Sequence, residues 1–128
     1  MKRYIHTENA PEAIGPYSQA VLSDNTLYCS GQIPLIPQTG EMVEGDISKQ
    51  TERVCDNIAA VLGAEGLCFD DVVKTTAYLV SMSDFPEFNE IYGKYFISKP
   101  ARSTVAVKEL PKGAKVEIEV IAIIPEDS

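Results

Sequence analysis

A change of hydrophobic period constrains this chain more than any other feature. Between Asp46 and Gly63 the residues Ile47, Thr51, Val54, Cys55, Ile58, Val61 and Leu62 recur at steps of three and four, while the segments around them alternate at every second residue. The first pattern is an amphipathic helix that stops at Gly63 to Gly66, and the second is half-buried strand. A second helical stripe, Phe85, Phe88, Ile91, Tyr92 and Tyr95, follows Asp84. Asp84 is its expected cap, with Pro86 in the first turn, Glu87 three residues after the cap, and Lys99-Pro100 as the stop. Two helices set among period-two segments predict an α+β protein: one mixed sheet with both helices packed on one face.

The strands read as Gln19 to Leu22 and Thr26 to Gln32, joined through Ser23-Asp24-Asn25; then a long one from Asp71 to Met82; then Ser103 to Lys108 and Lys115 to Ile124, joined by Leu110-Pro111-Lys112-Gly113. Ile33 to Gly40 is a proline-punctuated loop, because proline cannot donate into a central ladder. The order is therefore β-β-α-β-α-β-β, with room for one more short strand before the first helix. No linker, repeat or low-complexity tract interrupts residues 1–128, which read as one domain. Several residues on the uncovered sheet face are apolar, and self-association is the economical way to bury them.

Composition removes several classes of function. A chain of 128 residues, 45% of them hydrophobic, can build a core without metal or disulfide staples. Its net charge of −8 repels phosphate backbones, so no nucleic-acid partner is expected. No apolar run approaches the roughly 18 residues that span a bilayer, and Met1-Lys2-Arg3 leads into polar His6-Thr7-Glu8-Asn9 rather than a signal stretch. A cytoplasmic protein with no membrane partner is the expectation. Three widely spaced cysteines and a single histidine largely exclude zinc fingers, disulfide frameworks and Ser-His-Asp or Cys-His machinery.

What chemistry remains rests on few residues. Arg102 follows Pro100-Ala101 at a loop-to-strand junction, where its planar fork can be aimed at a carboxylate; the alternative is a solvated surface arginine or a structural ion pair. Glu117 and Glu119 share one face of the last strand, opposite Val116, Ile118 and Val120. Either one is a candidate general base, or both are simply the strand's polar side. Gly15-Pro16-Tyr17-Ser18-Gln19 places an aromatic hydroxyl after a rigid turn, and Cys29-Ser30-Gly31-Gln32 ends a strand on small residues that let a ligand approach the backbone. Cys55 and Cys68 read as small core residues, Cys29 as the one thiol near a candidate site, and His6 as exposed.

These pieces resemble a known family over nearly the whole chain. Residues Glu8 to Ala20 (ENAPEAIGPYSQA), Ser30 to Pro34 (SGQIP), Pro100 to Val105 (PARSTV), Leu110 to Ala114 (LPKGA) and Val116 to Glu119 (VEIE) are similar, in that order, to the motifs of the Rid or YjgF-like group, the reactive intermediate deaminases, and look like its RidA-type branch. The resemblance implies a chorismate-mutase-like fold assembled as a homotrimer, with active sites in the clefts between subunits and the apolar sheet face covered. It implies hydrolysis of small 2-imino acids, 2-iminobutanoate and 2-iminopropanoate, to 2-oxo acids and ammonia, with no metal and no cofactor. Position by position, it implies that Arg102 holds the substrate carboxylate and that Glu117 positions and deprotonates the attacking water. Tyr17 lines the pocket and bonds water or substrate. Ser30, Gly31 and the main chain at Thr104 contact the imino end, and Asn89 walls the cleft with the second helix's aromatics. Thr104 stands where many relatives carry cysteine, so redox behaviour tied to that thiol does not carry over. Two rivals stand beside this reading: a non-catalytic module that binds 2-oxo acids, and a ribonuclease or translation inhibitor, which the acidic charge disfavours.

Overall fold

In the computed structural model the last strand lies at the heart of the sheet, and its sequence explains why. Along β6 (Val116–Ile123) the residues Val116, Ile118, Val120 and Ala122 are buried and alternate with half-buried Glu117, Glu119, Ile121 and Ile123. Residues 1–126 are described; Asp127 and Ser128, the last two of the expected 1–128 unit, lie outside the described residues.

On one side β6 pairs antiparallel with β3 (Thr26–Gln32), which continues through β2 (Ala20–Ser23) to β1 (Lys2–Ile5). On the other it pairs antiparallel with β4 (Val72–Leu79), which in turn pairs parallel with β5 (Ala101–Ala106). The six-stranded order is β1-β2-β3-β6-β4-β5. A parallel pair needs a crossover, and α2 (Phe85–Tyr95) supplies it between β4 and β5. The other helix, α1 (Ile47–Gly63), opens where the Asp46 side chain accepts from the Lys49 N–H at 3.0 Å. Both helices cover the face bearing Leu27, Leu79, Val116 and Ile118, closing the core with Val54, Ile58, Leu62 and Phe88, each worth about 1.5–3 kcal/mol of burial. The expected α+β class, with both helices on one face of a mixed sheet, is what forms.

Local details differ from expectation for identifiable reasons. The strand β1 is absent from the sequence reading because only Ile5 of its four residues is buried, so no alternation marks it; the β2 edge creates it, through pairs from Lys2↔Ser23 to Ile5↔Ala20. The further short strand before α1 reduces to one bridge, Leu35↔Met42. The long strand expected to Met82 ends at Leu79, since the Ser81 side chain accepts from the Ser83 N–H and starts a 3-10 turn over Met82–Asp84. That turn puts Asp84 in a helical conformation, φ −85° and ψ −6°, instead of the extended one a capping side chain needs, and its expected cap bond is not made. Parallel pairing with β4 begins at Lys74↔Ala101, so β5 starts earlier than Ser103 and Arg102 sits inside it rather than at its entrance. Cys68, expected in the core, is exposed beside the 3-10 turn Phe69–Asp71.

The face away from the helices stays open. Tyr4, Tyr28 and Val105 are exposed there, beside Val21, Tyr78 and Ile121. No helix among the described residues is long and apolar enough to cross a membrane.

Candidate active site

The sheet's pleat decides the site's geometry. Arg102 is in register with Thr75, which is buried under α2 with its hydroxyl 2.8 Å from the Tyr92 hydroxyl. The Arg102 side chain therefore rises on the helix-covered side. There Phe85, Phe88, Asn89 and Tyr92, spaced by three and four residues, form one stripe of α2. The guanidinium carbon lies 4.7 Å from the Tyr92 ring centroid, 5.5 Å from Phe85 and 5.8 Å from Phe88, and Nη1 donates to Asn89 Oδ1 at 2.8 Å. Stacking and a charge-assisted bond hold the fork in one orientation, and four further N–H groups remain on it. It borders a hollow of about 580 Å³ that Asn89, Tyr92, Ile97, Lys99 and Pro100 help to line. Thr104, two residues further along β5 and on the same side, has a buried hydroxyl with no partner among the described residues.

Glu117 points the other way. Its neighbours Val116 and Ile118 are buried beneath the helices, so its carboxylate emerges on the open face, in a cleft of about 400 Å³ lined by Ile14, Tyr17, Ser30, Gly31, Ile33 and Pro111. The seat is made by Gly31: a Cβ there would collide with Oε2 of Glu117 and come within 2.8 Å of its carboxyl carbon. Only a residue without a side chain lets the carboxylate lie against the β3 backbone. Ser30 Oγ donates to the Ser18 carbonyl at 2.6 Å, and Tyr17, half exposed, bonds through its hydroxyl to the Ile14 N–H at 3.3 Å.

The two glutamates differ in company. Glu119 accepts from the Tyr78 hydroxyl at 2.7 Å, whereas no hydrogen bond to Glu117 occurs among the described residues. Partial burial, and then the charge of Glu119, raises the Glu117 carboxyl above its ordinary value. A half-buried carboxylate with free lone pairs, its pKa raised by burial, is suited to act as a proton acceptor.

Tyr17, Ser30, Gly31 and Glu117 are thus brought together, as are Arg102, Asn89 and Thr104, but the two groups face opposite sides of one sheet. Within a single chain they cannot touch the same small molecule. Cys29, expected near a site, points into the core, where burial pushes its thiol up to about 12. The sequence reading passed over Ile14, Ile33 and Pro111, whose only advance signal was their place next to the Gly-Pro and Leu-Pro-Lys-Gly turns. It also passed over the buried amide of Asn57, which donates to the Ile33 and Leu35 carbonyls and holds that wall of the cleft. Among the described residues no cluster of His, Cys, Asp or Glu is arranged to hold a metal ion.

Comparison with known proteins covers both groups of residues. A RutC family protein of Pyrococcus horikoshii is 54% identical over 123 residues, covering 95% of this chain and 98% of that one. The human protein named 2-iminobutanoate/2-iminopropanoate deaminase is 48% identical over 124 residues, covering 96% and 90%. The solved structure of Escherichia coli TdcF with bound serine superposes with a TM-score of 0.91 at 40% identity, covering 96% of this chain and 99% of that one. The family model described as Endoribonuclease L-PSP matches residues 7–124, a stretch that takes in every motif lining the two clefts. The chain accordingly belongs to the endoribonuclease L-PSP family, the group also known as YjgF or Rid proteins.

Proposed function

We propose that the protein is a cytoplasmic imine deaminase that hydrolyses small 2-imino acids to 2-oxo acids and ammonia, in sites assembled between copies of the chain. The observation that carries this reading is the pairing of chemistries with the sheet between them: a fixed guanidinium on one side and, on the other, a backbone-seated carboxylate with no hydrogen-bond partner among the described residues. Relatives named deaminases, and a relative that binds serine, support a small carboxylate-bearing ligand. The acidic charge argues against RNA as the substrate despite the family's description. The apolar open face supports a closed ring of copies, a homotrimer, that lays one chain's Arg102 edge beside its neighbour's Glu117 cleft. Three free cysteines suit a reducing compartment.

On this reading the substrate's carboxylate takes the free N–H groups of Arg102, with Asn89 holding the fork. Tyr17, Ser30 and Thr104 surround the imino end. The carbon of a protonated imine is already electrophilic, so positioning and one proton acceptor suffice. Glu117 takes a proton from water as its oxygen bonds to that carbon, giving a carbinolamine. The same carboxyl returns the proton to nitrogen and then accepts the hydroxyl proton as the C=O forms and the C–N bond breaks, so ammonia leaves and the proton that the imine carried in passes from Glu117 to ammonia or water. The balance is one imino acid plus one water to one 2-oxo acid plus one ammonia.

The test uses threonine and a threonine dehydratase to supply the imine while release of 2-oxobutyrate is followed. Wild type should accelerate release, and Arg102→Ala and Glu117→Ala should each abolish the acceleration. After the two inactive variants are unfolded and reassembled together, activity should return, because random association restores about one site in four. A wild type that adds nothing to spontaneous hydrolysis while binding 2-oxo acids would leave a binding module instead. Failure of the mixture to regain activity would mean that Arg102 and Glu117 do not share a site between copies.

A further inference from the structure

The geometry points to Gln19 as a positioning residue: its buried amide clamps the loop that carries Ile14 and Tyr17 over the Glu117 cleft. The inference rests on the reading of that cleft as the catalytic half-site. Between the end of β1 at Ile5 and the start of β2 at Ala20 the chain has no helix or strand, so no ladder holds this loop in place. Ala10 anchors it at one point in the core, and the side chain that binds its backbone on both sides of that point is 3% exposed. Gln19 Nε2 donates to the carbonyls of Pro11 at 2.8 Å, Thr7 at 3.0 Å and Ala10 at 3.3 Å, while its Oε1 accepts from the Thr7 N–H at 2.7 Å.

The chemistry admits only an amide. Three carbonyl oxygens converge on one end and a backbone N–H on the other, so the amide's orientation is set by its partners. A carboxylate would set an anion against those oxygens, and a thioether would leave Ala10 and Pro11, both buried, without a donor. The same residue faces the cleft's far wall through its backbone. The Gln19 carbonyl accepts from the Ser30 N–H at 3.0 Å, next to the Ser18 carbonyl that accepts from Ser30 Oγ at 2.6 Å. One position thus couples the loop, Tyr17 two residues upstream, and the Ser30-Gly31 floor on which Glu117 rests. Tyr17 makes no hydrogen bond to that floor among the described residues, so its place above Glu117 depends on where the loop is held.

The test combines amide hydrogen exchange with kinetics for wild type, Gln19→Met, Tyr17→Phe and the double variant. In wild type the Thr7 amide, outside every helix and strand, should exchange at least about tenfold slower than an open amide. Free exchange there overturns the clamp without any variant having to fold. In Gln19→Met the amides of residues 7–18 should exchange faster, while those of β3 and β6 stay as in wild type. Its kcat should fall about tenfold with KM changed less. In the Tyr17→Phe background the same substitution should cost much less than in wild type, because a residue that acts through Tyr17 has little left to lose. Full additivity, or unchanged exchange over residues 7–18, overturns the proposal. If wild type itself turns over no imine, the reading of the cleft fails and the catalytic role of Gln19 fails with it. If wild type turns over imine and turnover is intact in Gln19→Met, the positioning role of Gln19 is refuted while the reading of the cleft stands.

Discussion

The guanidinium of Arg102 reaches its place through three aromatic rings and an asparagine, all on one rigid helix, whereas the carboxylate of Glu117 meets a bare stretch of backbone and three walls made of loop. The difference follows from the two tasks proposed for them. A group that anchors a substrate has to be aimed before the substrate arrives, and partners that stack and bond on one side leave its remaining donors pointing one way. A group that moves a proton has to keep its lone pairs free, so it is held by shape instead of by hydrogen bonds. Glu119, two residues away and bonded to Tyr78, is the same residue type committed to structure.

The comparison is broken most sharply at the anchor. Arg102→Lys keeps the charge but loses the fork and the flat face that rests on Tyr92, so kcat/KM should fall by about 10²–10³ while circular dichroism stays that of wild type. Turnover close to wild type would remove Arg102 from the site. A smaller effect is expected from the seat: Gly31→Ala forces the Glu117 carboxylate aside and should lower kcat by about tenfold or more, without unfolding the chain. Steady-state kinetics with a crystal structure of the variant checks both halves, and an undisplaced carboxylate with full kcat would refute the seat.

The smallest effect separates the two glutamates. Activity that needs ionised Glu117 rises with pH through its carboxyl pKa, which burial first and Glu119 second hold above the ordinary carboxylate value of about 4.3. Glu119→Gln removes only the second cause, so the acid-side midpoint of the kcat/KM profile should move to lower pH without returning to that value, and the plateau should hold within about twofold. A midpoint that stays put would mean that Glu119 does not act on the base. A plateau that collapses would make Glu119 itself part of the chemistry.

Much of this was readable from the chain. The stripes Ile47 to Leu62 and Phe85 to Tyr95, and the alternation from Val116 to Val120, specify helices and strand because each buries one face, and the period of that burial is a local property. The same alternation placed Glu117 and Glu119 side by side on the face opposite the core. What went unread had no local cause. The β1 strand exists only because β2 offers it an edge, and Asp84 loses its cap bond to a turn begun at Ser81. The Gln19 and Asn57 amides look like any polar residues until the loops they bind are folded against them.

By itself, then, the sequence determined which residues are periodic, which are chemically capable, and to which family their order belongs. Only the tertiary structure decided that Arg102 and Glu117 stand on opposite sides of one sheet. That outcome depends on the parallel register of β5 against β4 and on α2 crossing between them, pairings made between residues distant in the chain. Periodicity fixes which side chains share a face of their own strand; strand pairing fixes which way that face turns.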